Sequence, residues 1–169
     1  GEDELFWSGL FQDLADRGLS GVKLVISDGH KGIRKAVDKS FLGASWQMCH
    51  VHLIRAVLRN VAKKYHKEIA DKIKMALEDE TAMQQLIHEL EDRGYSKSAN
   101  TAESFRFSLW NYRAFPREHW RRIRTTNGLE RINKELKRRT RVVGAFPSDQ
   151  SFMRLGVSIL IDINEEWMT

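Results

Sequence analysis

The sequence holds a single cysteine, Cys49, which excludes an internal disulfide and suits a reducing compartment. No apolar run approaches the roughly 20 residues a membrane-spanning helix needs, and no charged-then-apolar leader of the secretory kind is visible. No membrane partner is therefore expected. There is no internal repeat, low-complexity tract or clear linker. The first residue is Gly and not Met, so a cut or processed fragment is expected. What remains is ordinary globular material. The 169 residues suffice for one domain, and a chain 41% hydrophobic and 30% charged reads as soluble and folded. The net charge of +5 points only weakly to a polyanionic partner, because acidic residues are numerous too.

Periodicity divides the chain. Phe6, Leu10 and Leu14, with Trp7 and Phe11 alongside, mark an amphipathic helix over 3–17 that Arg17-Gly18 closes. "VKLVISD" (22–28) reads as a strand, "GHKGIRKAVDKS" (29–40) as a short helix and "ASWQMCH" (44–50) as a second strand. Strand, helix, strand predicts two parallel neighbours. From Val51 the period becomes helical. Val51, Ile54, Leu58, Val61 and Tyr65 form one face. Ile69, Ile73 and Leu77 form another, and Met83, Leu86/Ile87 and Leu90 a third. "RGYSKSAN" (93–100) reads as a loop, and "SFRFSLWNYRAFP" (104–116) as a helix broken at Pro116. "FPSDQ" (146–150) is a turn ahead of a last helix, 150–167. Ser148 or Asp149 would cap it, and Phe152, Leu155, Ile159/Leu160 and Ile163 would be its buried face. The fold class is α/β with far more helix than strand.

Charge concentrates in one place. Residues 121–141 carry nine basic side chains against Glu130 and Glu135, a net +7 that exceeds the charge of the whole chain. Within the helix expected there, Leu129, Ile132 and Leu136 form the core face. Glu130, Lys134, Lys137/Arg138 and Arg141 lie on the neighbouring one. Cations in line can track phosphates, and a carboxylate at their head can hold a metal against one. Two plainer readings stand beside this. Asn127 and Glu130 have the spacing of a capping box, and a charge run is usually a solvated face. Asp28 ends the first strand, on the edge where open parallel sheets gather function, and an acid followed by Gly29 suits a hard cation. It reads equally as a turn residue capping the next helix. Cys49 and His52 lack the second pair a zinc site needs. They read as a small buried residue at a strand end and a polar contact opening a helix. His66 and His88 are isolated and fall on expected helix surface.

Together "LVISDGHKGIRKAV", "WQMCHVHLIRAVLRNV" and "RTTNGLERINKELKRRTRVVGAFPS" resemble the Mutator-type insertion-sequence transposases of bacteria, from the "RGL" at 17–19 to the "NEEW" at 164–167. The resemblance implies a DDE enzyme with a ribonuclease-H-like catalytic core, partial here (1–50 and 123–169) and interrupted by a helical insertion (51–122). It implies that Asp28 is the second catalytic carboxylate and Glu130 the third. It also matches Cys49 and His52 to the family's Cys-x-x-His signature. Two Mg2+ or Mn2+ ions would be held by Asp28 and Glu130. DNA, as transposon ends and target, would lie along Lys134, Lys137, Arg138 and Arg141, in the bacterial cytoplasm at the nucleoid. The first catalytic Asp of such enzymes lies on the first strand of the fold. None of Glu2, Asp3 and Glu4 sits in a strand-like run, so the chain is expected to begin after it. Strand 22–28 would then be an unpaired apolar edge, and self-association is expected. Two alternatives are an inactive remnant that only binds DNA, and a helical protein-interaction module whose basic helix meets an acidic partner.

Overall fold

Residues 2–168 are described in the computed structural model. Two short strands, β1 (Leu24–Ser27) and β2 (Ser45–Met48), pair in parallel with Leu24 opposite Ser45 and Ser27 opposite Met48. They are the only sheet among the described residues. Helix α1 (Glu2–Asp16) precedes them and α2 (Lys31–Ser40) connects them, packed on α1. The expected βαβ unit is present, with both strands shorter than the apolar runs suggested.

Helices dominate the rest. They are α3 (His50–Leu58), α4 (His66–Ala76), α5 (Glu80–Asp92), α6 (Ser96–Phe105), α7 (Trp120–Ile123), α8 (Asn127–Val143) and α9 (Asp149–Met168). No strand falls within 51–122. The described chain divides into two compact units, one ending at Thr126 and the other beginning at Asn127. The first contains the sheet and one continuous apolar core, in which Val37, Met48, Leu53, Ile69, Met83 and Leu109 are fully enclosed. The second consists of α8 and α9. Among the described residues no helix is long and apolar enough to cross a membrane.

Several expected faces rotate. In α1 the inward stripe is Trp7, Phe11 and Leu14, while Phe6 and Leu10 are exposed. The two candidate stripes were adjacent, and α2 covers the Trp7 side, where Phe11 meets Phe41 at 4.9 Å. In α3 the buried positions are His50, Leu53 and Val57, one step from the expected Val51, Ile54 and Leu58, which are half-buried. The faces at Ile69, Ile73, Leu77 and at Met83, Leu86, Ile87, Leu90 are buried as expected. The loop at 93–100 shrinks to a turn, since α6 begins at Ser96 and buries Ser98, whose hydroxyl donates to the Val57 carbonyl at 2.7 Å. The helix expected over 104–116 is absent. After α6 the chain makes 3-10 turns at Arg106–Ser108, Asn111–Ala114 and Arg117–His119. Side chains from elsewhere take its backbone groups, as described below. Ser148 caps α9 by exchange with Ser151: the Ser151 N–H donates to Ser148 Oγ (3.3 Å) and the Ser148 N–H to Ser151 Oγ (3.2 Å). Of its expected buried face only Ile159 is enclosed. Leu155 and Ile163 are half-buried, and Phe152 and Leu160 are exposed.

Candidate functional site

Asp28 is the first residue past β1, at the carboxyl end of the strand pair, and is exposed. Its Oδ1 accepts the His30 N–H at 3.1 Å, the local turn that a short acidic side chain makes with its own backbone. Helix α2 starts at Lys31 with His30 in the cap position and no side-chain cap bond. Asp28 therefore holds the turn without capping the helix. Two packing contacts fix this turn. Ser27 Oγ donates to the Asp28 carbonyl at 2.7 Å and accepts the Trp46 indole N–H at 2.8 Å. Behind it, a Cβ on Gly29 would fall 2.2 Å from the Phe105 ring, so only glycine fits without a shift. Phe105 also lies 6.1 Å from Trp46, whose ring carries the Arg34 guanidinium at 5.2 Å. The acidic neighbours in α1 are occupied in packing: Glu4 pairs with Lys39 and Lys35, and Asp3 lies 3.6 Å from His30.

The end of β2 binds the chain sixty residues ahead. Gln47 is wholly buried. Its amide donates to the Met48 and Leu109 carbonyls (2.9 Å each), and its oxygen accepts the Tyr112 N–H at 3.1 Å. Asn111 returns a bond to the Trp46 carbonyl at 2.6 Å. Buried His50 places Nε2 2.7 Å from the same Leu109 carbonyl. Burial is the main reason its pKa lies below the ordinary histidine value, so the ring is neutral and Nε2 is the donor. No buried side-chain polar atom among the described residues lacks a partner.

Cys49 is fully enclosed at the end of β2, as its sequence position suggested. Its sulfur accepts from Thr126, from the backbone N–H at 3.3 Å and the hydroxyl at 3.6 Å, and Thr126 Oγ1 lies 3.5 Å from His52 Nδ1. The His50 N–H donates to the Arg124 carbonyl at 3.0 Å. Cys49 and His52 are thus brought together on one threonine, the residue immediately ahead of α8. Among the described residues no group of three or more His, Cys, Asp or Glu side chains is arranged to hold a metal ion. His66 is half-buried with Nε2 2.8 Å from the Val61 carbonyl, and His88 is exposed.

Helix α8 begins at Asn127 itself, with Glu130 exposed in its first turn. Glu130, Asn133, Lys134, Lys137, Arg138 and Arg141 border one shallow concavity along the helix. Their charges are not equivalent. Glu135 accepts from Arg138 through both oxygens (2.8 and 2.9 Å) and from Arg139 at 2.7 Å. The Arg138 bonds, then those of Arg139, hold the Glu135 carboxyl down at about 2. Lys134, Lys137 and Arg141 have no ion-pair partner among the described residues.

Sequence reasoning missed Gln47, His50, Asn111, Phe105 and Thr126. Polar Gln47 within the apolar strand "SWQM" was the available signal, since a buried amide must be answered by partners elsewhere.

Over residues 1–169 the chain matches the family model described as transposase, Mutator family. It is 35% identical to the transposase for insertion sequence element IS256 in transposon Tn4001 of Staphylococcus aureus, covering 99% of this chain and 45% of that protein. Identity is 36% to the IS406 transposase of Burkholderia multivorans (99% and 45%) and 34% to the IS1081 transposase of Mycobacterium tuberculosis (99% and 41%). The chain spans less than half the length of these relatives.

Proposed function

Since this chain belongs to the Mutator family of transposases, we propose that it is part of an insertion-sequence transposase's catalytic domain, and that its substrate is DNA. The core would be a partial ribonuclease-H-like fold at 1–50 and 123–169, with 51–122 as a helical insertion. Asp28 and Glu130 would be the second and third carboxylates of a DDE triad. The observation that carries this reading is Asp28 itself. It is an exposed acid at the carboxyl end of a parallel strand, in a turn tied by Ser27, Gly29 and Phe105.

The donor chemistry fits a divalent cation. Carboxylate oxygens are what Mg2+ or Mn2+ takes, and Asp28 and Glu130 are exposed. Two such ions supply activation of the attacking oxygen and charge stabilisation at the leaving one, in cleavage by water and in transfer to a 3′-hydroxyl. The chain's own part is positioning. The His30 N–H fixes the Asp28 carboxylate through Oδ1, which sets the direction of Oδ2. Lys134, Lys137 and Arg141 would hold backbone phosphates, and Arg138 would join them on leaving Glu135, giving affinity and register without base recognition.

The test uses a protein of the relatives' length that carries this chain. Asp28→Asn and Glu130→Gln should each abolish metal-dependent cleavage and strand transfer and leave DNA binding in place. Cleavage that survives either change overturns the assignment of that residue. Binding without cleavage in the unaltered protein identifies a DNA-binding remnant.

A further inference from the structure

Helix α2 carries Lys31, Arg34, Lys35 and Lys39 against one acid, Asp38. Its flank towards α1 is neutralised. Helix α1 approaches closely at Gly32, and Glu4 pairs there with Lys35 and Lys39. Arg34 stands on the other flank, about 100° round the helix from Lys35. Asp38, four residues on, is spaced for an ion pair with it. The Arg34 guanidinium forgoes that pair and lies over the Trp46 ring, 5.2 Å from its centre. Among the described residues it forms no ion pair with Asp38, Asp28 or any other acid.

The ring beneath it is fixed. Trp46 is buried, its indole N–H donates to Ser27 Oγ at 2.8 Å, and that hydroxyl donates to the Asp28 carbonyl at 2.7 Å. An exposed guanidinium is therefore held on a platform bonded to the Asp28 turn. A guanidinium is charged at every working pH, and its fork matches two oxygens of a phosphate. Held flat on a ring, it has less freedom to lose on binding. Resting on the reading of Asp28 as a catalytic carboxylate, we propose that Arg34 is a substrate-binding residue. It grips a DNA backbone phosphate at the Asp28 edge, and Trp46 is the platform that keeps it there. The charge on Asp28 opposes a phosphate at that edge. Once that charge is offset, by a divalent cation or by Asp28→Asn, the phosphate closes on Arg34. Metal-free binding along α8 does not draw on it.

The experiment takes a protein of the relatives' length that carries this chain. Anisotropy of a duplex of arbitrary sequence is read across a salt series in EDTA, where nothing is cut. Asp28→Asn should steepen the slope of log affinity against log salt by about 0.9, one further phosphate contact. Adding Arg34→Ala should remove that contact again, whereas adding Arg34→Lys, which keeps the charge, should not. Lys39→Ala, whose ammonium is already paired with Glu4, should leave the slope alone. In Mg2+, Arg34→Ala should raise the DNA concentration that half-saturates cleavage about tenfold, with a smaller effect on the rate at saturation. An Arg34 that only roofs Trp46 would lower the melting temperature on Arg34→Ala. It would leave the slopes of Asp28→Asn and D28N/R34A equal, which overturns the proposal. So does an unchanged half-saturating concentration in a protein that cuts. Should the unaltered protein bind DNA without cutting it, or Asp28→Asn still cut, the catalytic reading fails and the metal-free slopes still decide Arg34.

Discussion

Changing Glu135 to Gln should tighten DNA binding, although Glu135 itself would touch no DNA. With its carboxyl held at about 2, Glu135 is ionised at any working pH and keeps Arg138 and Arg139 engaged on α8. Three cations on the Glu130 face, Lys134, Lys137 and Arg141, are then left for phosphates. Each phosphate contact contributes about −0.9 to the slope of log affinity against log salt, so three give about −2.7 and a roughly 40-fold loss between 50 and 200 mM salt. Glu135→Gln releases Arg138 to a fourth contact, which steepens the slope to about −3.6 and the loss to about 150-fold. Lys137→Ala with Arg141→Ala should leave a single contact, a slope near −0.9 and a loss of about 3.5-fold over the same range. Fluorescence anisotropy on a duplex of arbitrary sequence across a salt series measures all three. All sequences should respond alike, because phosphate contacts carry no base information. A Glu135→Gln slope equal to that of the unaltered chain, together with an Arg138→Ala slope shallower by a full contact, would show that Arg138 already serves DNA from within its bridge. Slopes unmoved by any of the changes would return the charge run to a solvated face.

Three further outcomes test the unit that carries Asp28. His50 is held neutral, with a folded pKa below its unfolded value. The unfolded chain therefore binds the extra proton first, and stability, complete above about pH 6.5, should fall as pH drops through that value. His50→Gln, which keeps a donor for Leu109, should flatten melting temperature against pH, and an equally steep profile would refute the role. Gln47→Leu strips the acceptor from the buried Tyr112 N–H, a cost of about 1–3 kcal/mol, which for a chain of this size lowers the melting temperature by roughly 3–10 °C; a change under about 2 °C would show that water replaces the amide. Gly29→Ala should displace the Phe105 ring, visible as a weakened Trp46 and Phe105 aromatic signal in near-ultraviolet dichroism, and an unchanged spectrum would mean the turn has room to spare.

Local pattern was enough for some of this structure and not for the rest. The strand pair, its parallel sense and the helices at Ile69–Leu77 and Met83–Leu90 follow from period and β-branched runs, because each of these helices turns a single apolar stripe to the core. Where two stripes compete, as Phe6/Leu10 against Trp7/Phe11 in α1, the choice belongs to whichever element packs there, and no residue of α1 encodes it. The aromatic segment after Phe105 misled for a related reason. Its composition suits a helix, yet Gln47, His50 and Asn111 bind its backbone from afar or bind outward from it, and tight turns win over a regular ladder. At the candidate site, Asp28 and Glu130 stood out by position and by contrast of charge. Cys49 and His52 also stood out, but their shared partner Thr126 lies more than seventy residues on, and nothing about a threonine signals such a contact. The charge run concealed its own offset, since Glu135 looked no different from Glu130 until its two arginines were placed.

The Gln47 and His50 bonds to Leu109 and Tyr112 impose an order on synthesis. These residues are 59 to 65 positions apart, so the edge that carries Asp28 emerges well before the chain that completes it. At roughly 5–20 residues per second, about 3–13 s separate the two. During that interval α3 to α6 can form from neighbouring contacts, which close quickly, while the long-range clasp must wait. A nascent chain halted before Leu109 would leave Gln47 without the Leu109 carbonyl and the Tyr112 N–H. The turn at Asp28 would also lack Phe105 over Gly29 until α6 is made. The helical segment is thus a late-arriving clamp on the strand pair, and the Asp28 edge matures only after that clamp has been translated.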